Sequence, residues 1–498
     1  MKDNAVSDPC ELHPCEKEKL PWSGQIQPFG ALIGVDKTTL SVTHASANTA
    51  EVLGRAPETL FGLSVEALSS QLAVILEEMA FEPADQVFER QVALGAHPCW
   101  LRISQDVRHY VIDIQSYDKS VQVAGASPEL TQKLAYSPDT EEGAQSLFET
   151  LVTLVRQLTD YDRVMLYQFQ PDWSGQVMAE TKKTGLGSYL DLRFPASDIP
   201  KIARDLYVKN ASRTICDARM DPVPILSATQ QPIDLTYSDT RSVSPVHLQY
   251  LQNMGVSASF SLPIVIHQSL WGLVACHHYT PKHLLPQVKK QAVTQVDRFR
   301  RALHGYLAKR KMQHYDQREA VLKRLASRLQ RLTERQNLLE ESSAEVLDLL
   351  QAQGFVWIDD ETCLTTGQVP EASVLDRLDQ WFMERADSDV FVTDSLMRDD
   401  IPGREAEGLA GLLAVRVWKQ HQWQRCYWFK EEVVRDLVWA GNPDKPIMEN
   451  ADVSSLSPRR SFDQWVETRR HHSAQFEDFD CLTARRFVHV LSDQLGTK

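Results

Sequence analysis

Short apolar runs separated by turn signals fill the first part of the chain: Phe29-Gly30-Ala31-Leu32-Ile33-Gly34-Val35, Trp100-Leu101-Arg102-Ile103 and Tyr110-Val111-Ile112-Asp113-Ile114. They read as strands flanking a helix that begins near Ala47-Asn48, so residues to about 125 predict a small α+β domain. A polar connector near residues 117–140 leads to a helix over Ala144–Leu158 and then to strands at Arg163–Phe169, Gly175–Glu180, Ser257–Ile266 and Leu270–His278. This pattern predicts a second sheet with helices around it.

From about Pro286 to Ala344 the chain has almost no Gly or Pro, and Leu322, Leu325, Leu329, Leu332, Leu339 and Val346 fall on a heptad seam. The stretch reads as one helix, on the order of 80 Å long at 1.5 Å per residue. Such a spine joins two domains and offers a dimer seam; the plainer alternative is an amphipathic helix facing its own core. A third mixed domain follows from about residue 345. Within it, Glu431 to His472 is rich in Trp, Pro, Arg and Ser with weak periodicity, and excursions of that length are usually functional or disordered. Phe476, Phe479, Phe487, Val490 and Leu491 then mark a final helix that stops without a cap.

A chain of 498 residues is too long for one hydrophobic core, which agrees with about three domains. The net charge of −14 argues against nucleic acid or an anionic membrane as the main partner, since both repel an acidic protein. No stretch reaches the roughly 18–20 apolar residues of a membrane span, and the N-terminus lacks a signal peptide's apolar segment. The expectation is a cytosolic protein. Its eight cysteines are scattered, as reduced thiols rather than a disulfide scaffold.

Candidate chemistry begins with Cys10 and Cys15, which precede Gln25-Ile26-Gln27-Pro28-Phe29-Gly30. A thiol on a mobile segment can reach another domain and bond there; the alternatives are idle thiols, or a metal cluster of Cys10, His13 and Cys15 that lacks a fourth ligand. In the second domain, Arg193-Phe194-Pro195-Ala196-Ser197-Asp198-Ile199-Pro200 precedes a helix containing Tyr207, and Ser197 or Asp198 there suits a helix cap. Arg213 follows, then Arg241, Ser244, His247 and Tyr250 at a spacing that fits one helical face. Ser259 and Ser261 alternate along a strand and share a side, whereas the adjacency of His277 and His278 puts them on opposite sides. Two arginines, hydroxyls, tyrosines and a histidine around apolar Tyr167, Phe194 and Met254 describe a site for a large, flat, conjugated dianion.

The strings VMLYQF, LRFPASDIP, RSVSPVHLQYLQNMGVSAS and LWGLVACHHY resemble the chromophore-binding GAF domain of bacteriophytochromes. The N-terminal region is similar to the phytochrome PAS domain. Trp439-Ala440-Gly441-Asn442-Pro443 and Ser457-Pro458-Arg459-Arg460-Ser461-Phe462 resemble the WGG-like and PRxSF motifs of a PHY-domain tongue. The resemblance implies an α+β protein of three mixed domains: an N-terminal segment over 1–15, PAS over 16–125, GAF over 135–310 and PHY over 311–498, with a tongue at about 431–472. A long helical spine would join them. It further implies a figure-of-eight knot between PAS and GAF, with Ile26 threaded through a lasso at Pro222–Val243.

The same resemblance implies a light photoreceptor that carries biliverdin as a thioether on Cys15, with Cys10 a weaker candidate. The family's alternative GAF cysteine is missing beside Pro245-Val246-His247, which favours biliverdin. Arg213, Arg241, Tyr207, Ser244, Ser259 and Ser261 match its propionate contacts, and the Asp198 carbonyl and His247 ring match the groups at its pyrrole nitrogens. Ile199 and Met254 are further expected cofactor-binding residues, His277 meets the D-ring carbonyl, and Tyr167, Phe194 and Tyr250 surround that ring. Asp198 would pair with Arg459 in the resting state and with Ser461 after a light-driven change of the tongue. Phe29 departs from the family, where many relatives have histidine. The resemblance also implies a homodimer and an output domain, histidine kinase or diguanylate cyclase, beyond Lys498; nothing in these residues resembles a kinase nucleotide box, a GGDEF motif or a nucleophile–base pair. The competing reading is a haem or small-ligand sensor on PAS and GAF domains, with His247 or His277 as axial ligand.

Overall fold

The computed structural model describes residues 18–117, 125–329, 337–385, 388–398, 400–419, 421–443 and 462–495. It divides into two units, Met1–Tyr306 with Val438–Trp465, and Leu307–Leu437 with Val466–Lys498.

The first unit opens with an antiparallel sheet of β1 (Gln25–Ile26), β2 (Ala31–Asp36), β3 (Val42–Ser46), β4 (Phe88–Leu94), β5 (His97–Gln105) and β6 (His109–Ser116). A seventh strand, β11 (Val223–Ser227), arrives from far downstream to give the order β1-β11-β3-β2-β6-β5-β4. Side chains alternate across a strand. Ala31, Ile33 and Val35 therefore enter a core with Leu101, Ile103, Ile112 and Ile114, while Leu32 and Val111 turn to a second core with Ile26, Ile233 and Leu235. Both faces are covered, which is why β2 reads as an unbroken apolar run. The helix expected near Asn48 is instead four short ones: α1 (Thr49–Leu53), α2 (Pro57–Leu60), α3 (Val65–Leu68) and α4 (Ser70–Met79). Gly54 ends the first at φ 66°, in the left-handed region that glycine enters freely. Ser64 and Ser69 start the last two by accepting hydrogen bonds from Ala67 and Leu72 amides.

Helices α5 (Pro128–Lys133) and α6 (Glu141–Thr159) lead to the second sheet. Its strands are β7 (Arg163–Phe169), β8 (Gly175–Lys182), β9 (Arg193–Phe194), β10 (Arg213–Ile215), β12 (Ala258–Ile266) and β13 (Ser269–His278). With β19 (Arg435–Ala440) and β20 (Gln464–Arg469) the order is β10-β12-β13-β7-β8-β9-β19-β20. β19 joins β9 in parallel through Trp439 opposite Arg193, and Gly441 donates its amide to the Asp463 carbonyl at 2.8 Å. These two strands are legs of the excursion expected at Glu431–His472; residues 444–461, with Arg459 and Ser461, lie outside the described residues. Helices α7 (Lys201–Lys209) and α8 (Pro245–Asn253) accompany this sheet.

The second unit is an antiparallel sheet of β14 (Gly354–Ile358), β15 (Cys363–Gly367), β16 (Val390–Thr393), β17 (Leu409–Lys419) and β18 (Gln422–Glu431), in the order β15-β14-β18-β17-β16. The expected unbroken spine is described as α9 (Pro286–Leu329) and α10 (Asn337–Leu350), residues 330–336 lying outside the described residues. Leu322, Leu325 and Val346 are buried in this unit's own core with Phe355, Trp357, Trp428 and Leu491 of α12 (Asp478–Leu495). Those three seam positions face this unit's core, as the plainer alternative has it. α11 (Ala372–Glu384) covers the other face with Leu375, Leu378 and Phe382 against Tyr427 and Phe429. Among the described residues no helix is long and apolar enough to cross a membrane.

Candidate functional site

One face of the second sheet gathers several of the candidate side chains. β12 pairs with β10 so that Ser261 lies opposite Arg213, and with β13 so that Ser259 lies opposite His277. β13 in turn pairs with β7, setting His277 opposite Arg163. Directly opposed residues share a face, so Arg213, Ser259, Ser261, His277 and Arg163 line up together. His278, one residue on, points the other way and meets Asp162 at 2.9 Å.

The two histidines of the site are kept neutral. Burial, then the Arg163 guanidinium and the neighbouring His247 imidazole, push His277 down to about 3. Burial, then Arg213, push His247 down to about 4. His277 is 8% exposed, and its Nδ1 is buried with no hydrogen-bond partner among the described residues. A buried nitrogen left this way is costly, and a bound carbonyl or water would satisfy it.

α8 begins at Pro245, and a residue before proline avoids helical geometry. Ser244 is thus the helix cap; its hydroxyl makes no capping bond and instead donates to Glu18 Oε1 at 3.0 Å. His247 and Tyr250 follow on one face with rings stacked at 5.9 Å. Arg241 is not on this helix: it lies in the approach to it, bridged to Ile26. The helical spacing read from the sequence therefore applies from Ser244 onward.

Arg241 is buried and donates to the Leu235 and Thr236 carbonyls at 3.1 and 3.0 Å. Burial, then Arg213, push it down to about 9. Arg213 donates to the backbone carbonyls of Asp239, Arg241 and Ser242, and the Tyr207 phenol shares a hydrogen bond with Ser261. Across the site Tyr250 donates to Asp198 Oδ2 at 2.9 Å, and Asp198 ends a 3₁₀ turn over Ala196–Asp198. Tyr167 packs 6.0 Å from Phe194, Phe194 packs 5.9 Å from Tyr189, and Ile199 and Met254 complete this apolar cluster. Gly175 is required there, since a Cβ would come within 1.7 Å of the Tyr167 ring. From the excursion, Phe462 meets Tyr250 edge-on at 5.4 Å. Cys10 and Cys15 lie outside the described residues.

Three family models match the chain in series: PAS fold over residues 15–104, GAF domain over 143–296 and Phytochrome region over 318–498. The chain belongs to the phytochrome family as a PAS–GAF–PHY photosensory module. It is 33% identical to cyanobacterial phytochrome B of Nostoc sp., over 94% of this chain and 64% of that one. It is 30% identical to a bacteriophytochrome of Pseudomonas aeruginosa, over 96% and 66%. The chain thus spans just under two thirds of the length of these curated relatives. Among solved structures, a bacteriophytochrome of R. palustris aligns with TM-score 0.83 and 27% identity, covering 98% of this chain and 100% of that chain. The photosensory core of the Stigmatella aurantiaca phytochrome aligns at 0.82 and 26%, covering 98% and 99%.

In this phytochrome module Arg163, Glu180, Tyr189, Gln27 and Glu18 stand beside the expected residues without having been singled out from the sequence. Arg163 and Glu180 form an ion pair with side chains 2% and 3% exposed, and Arg163 lies 4.1 Å over the Tyr189 ring. Gln27 is fully buried and donates to the carbonyls of Thr214 and Arg241. The available signal is charge at a strand start and before a strand pair, which sequence reading treats as solvated by default.

Proposed function

We propose that the module is a red/far-red light receptor that binds biliverdin on the GAF sheet face and holds it covalently through Cys15. The observation that carries this reading is the buried, unsatisfied Nδ1 of His277 on the same face as Arg213, Ser259 and Ser261. A ligand with a carbonyl at one end and acid tails at the other fits that donor set. A haem would need His247 or His277 as axial ligand, and it has no use for Cys15 or for the tongue.

The bilin, when bound, supplies the photochemistry, isomerisation of its C15=C16 double bond. The chain's own residues shape and charge its surroundings. Arg213 and Arg241, with Tyr207, Ser244, Ser259 and Ser261, bind and orient the propionates, arginine suiting carboxylates through its planar fork. Those guanidinium groups now donate to backbone carbonyls, so acid tails exchange one set of acceptors for a stronger, charged set. His247 and the Asp198 carbonyl accept from pyrrole nitrogens, for which a neutral imidazole is required. His277 holds the D-ring carbonyl, and Tyr167, Phe194, Tyr250, Ile199 and Met254 leave that ring an apolar, non-bonding surround. Asp198 pairs with Arg459 at rest and with Ser461 after isomerisation, which carries the change into the tongue. Self-association as a homodimer and an output domain following Lys498, histidine kinase or diguanylate cyclase, complete the proposal.

The test is direct. Purified chain mixed with biliverdin should develop a far-red band that shifts reversibly on illumination, and zinc-induced fluorescence of the denatured product should mark a covalent bilin. Cys15→Ser should lose the zinc signal. A chain that stays colourless with biliverdin removes the reading.

A further inference from the structure

The two arginines of the site differ in how they are held. Arg213 sits on a sheet strand, whereas Arg241 sits in irregular chain between β11 and α8, and a guanidinium on irregular chain needs something to fix its backbone. That support comes from the first sheet. Asp113 on β6 is 1% exposed; its Oδ1 accepts from the hydroxyls of Ser238, at 2.7 Å, and Thr240, and its Oδ2 accepts from the Asp239 amide at 2.9 Å. The Ser238 hydroxyl then accepts from the Arg241 amide at 3.1 Å. One carboxylate thereby fixes three successive residues, and the first of them fixes Arg241.

Backbone contacts close the other side: the Gln27 amide donates to the Thr240 carbonyl at 2.7 Å, and the Ser242 amide donates to the Gln25 carbonyl at 3.0 Å. Those bonds set the path of the chain. The Gln27 and Arg213 side chains hold the Arg241 carbonyl, whereas its amide is held by Ser238, the residue that Asp113 fixes.

We infer that Asp113, a PAS residue with no place in the bilin site, is the positioning residue that aims Arg241 at an acid tail of the pigment. This rests on the proposed bilin reading. Asp113 acts through Ser238 and Arg241 and is not itself a ligand-binding group. Its charge and its geometry have opposite consequences, which makes the role separable. A negative charge near Arg241 and Arg213 opposes a dianion, so its removal alone should leave binding equal or tighter; loss of the scaffold should weaken it.

Equilibrium binding is measured in a Cys10→Ser/Cys15→Ser chain, so that no thioether forms, with biliverdin and with its dimethyl ester, which has no charged tails. Asp113→Asn and Ser238→Ala are each expected to raise the Kd for biliverdin about tenfold, on the scale of one lost hydrogen bond to a charged group. The ester's Kd should change by less than about twofold. Without pigment, hydrogen exchange of the peptide spanning 235–243 should quicken in both variants, because Ser238→Ala removes the acceptor of the Arg241 amide and Asp113→Asn weakens the hold on the hydroxyl that serves as that acceptor. Biliverdin binding that is unchanged or tighter in Asp113→Asn overturns the inference, as does equal weakening for acid and ester, which would mean a merely structural role. If the parent chain binds neither pigment, the bilin reading itself fails, an outcome distinct from both.

Discussion

Tyr250 and Asp198 are joined by a 2.9 Å hydrogen bond in which the phenol donates to the carboxylate. The residue at the motif's acidic position is thus tied to α8, whose other turn carries His247. Tyr250→Phe removes that donor while keeping the ring against Phe462. The pigment-free chain should lose about 1 kcal/mol of stability, read from denaturant midpoints at unchanged m-value. No loss would mean that the bond does not form in solution.

Gly175 tests the apolar end of the site. A methyl there would overlap the Tyr167 ring, and forced overpacking costs about 1–3 kcal/mol or more. Gly175→Ala should destabilise the chain and impair biliverdin uptake. Adding Tyr167→Ala should recover part of the stability, and a double-mutant cycle measures that coupling. Additive effects would show that the ring does not pack there.

Lys289 and Asp239 form an ion pair at 2.8 Å with both side chains 9% exposed. Burial alone would raise the Asp239 carboxyl, but Lys289, Arg102 and Arg213 outweigh it and bring it down to about 2. Lys289→Met strands a buried carboxylate and should cost about 3–5 kcal/mol, whereas Lys289→Met with Asp239→Asn should cost clearly less. Urea unfolding of the three proteins decides it.

The depressed histidines fix the sign of a pH effect. His247 and His277 protonate in the folded chain only near about 4 and about 3, whereas in the unfolded chain they protonate near 6.5. The unfolded state therefore binds more protons between those values, and stability rises with pH there. The pigment-free chain should lose stability as pH falls from about 6.5 toward 4, reaching the full penalty below the folded values. His277→Gln should make the dependence of the melting temperature over that window shallower by about one proton; an unchanged slope would refute the neutral, buried histidine.

Much of this was legible in the sequence, for definite reasons. β7 was read to its residue limits because Arg163–Phe169 is a short, mostly apolar run between turn signals, buried on both faces, and the shared side of Ser259 and Ser261 follows from strand geometry alone. Arg241 was misplaced onto α8 because an i, i+3 spacing continues through Ser244 by coincidence, although Pro245 marks where the helix starts. The seam at Leu322 and Leu325 looked like a dimer stripe because heptad spacing does not say which surface it meets, and here it meets Trp428 and Phe487. Asp113, Glu180 and Gln27 were invisible for another reason. A buried polar residue is recognisable only through its partners, and those of Asp113 lie 125 to 127 residues away in the chain.

The downstream strand in the first sheet limits how this chain can be divided. β11 fills the place between β1 and β3, so a fragment ended near residue 125 would leave the rim of β3 with open amides and carbonyls, and β1 with nothing to hold it. Exposed rims of that kind invite aggregation. The N-terminal quarter is therefore not a portable piece: recombination or engineering that exchanges it must carry residues 223–241 with it.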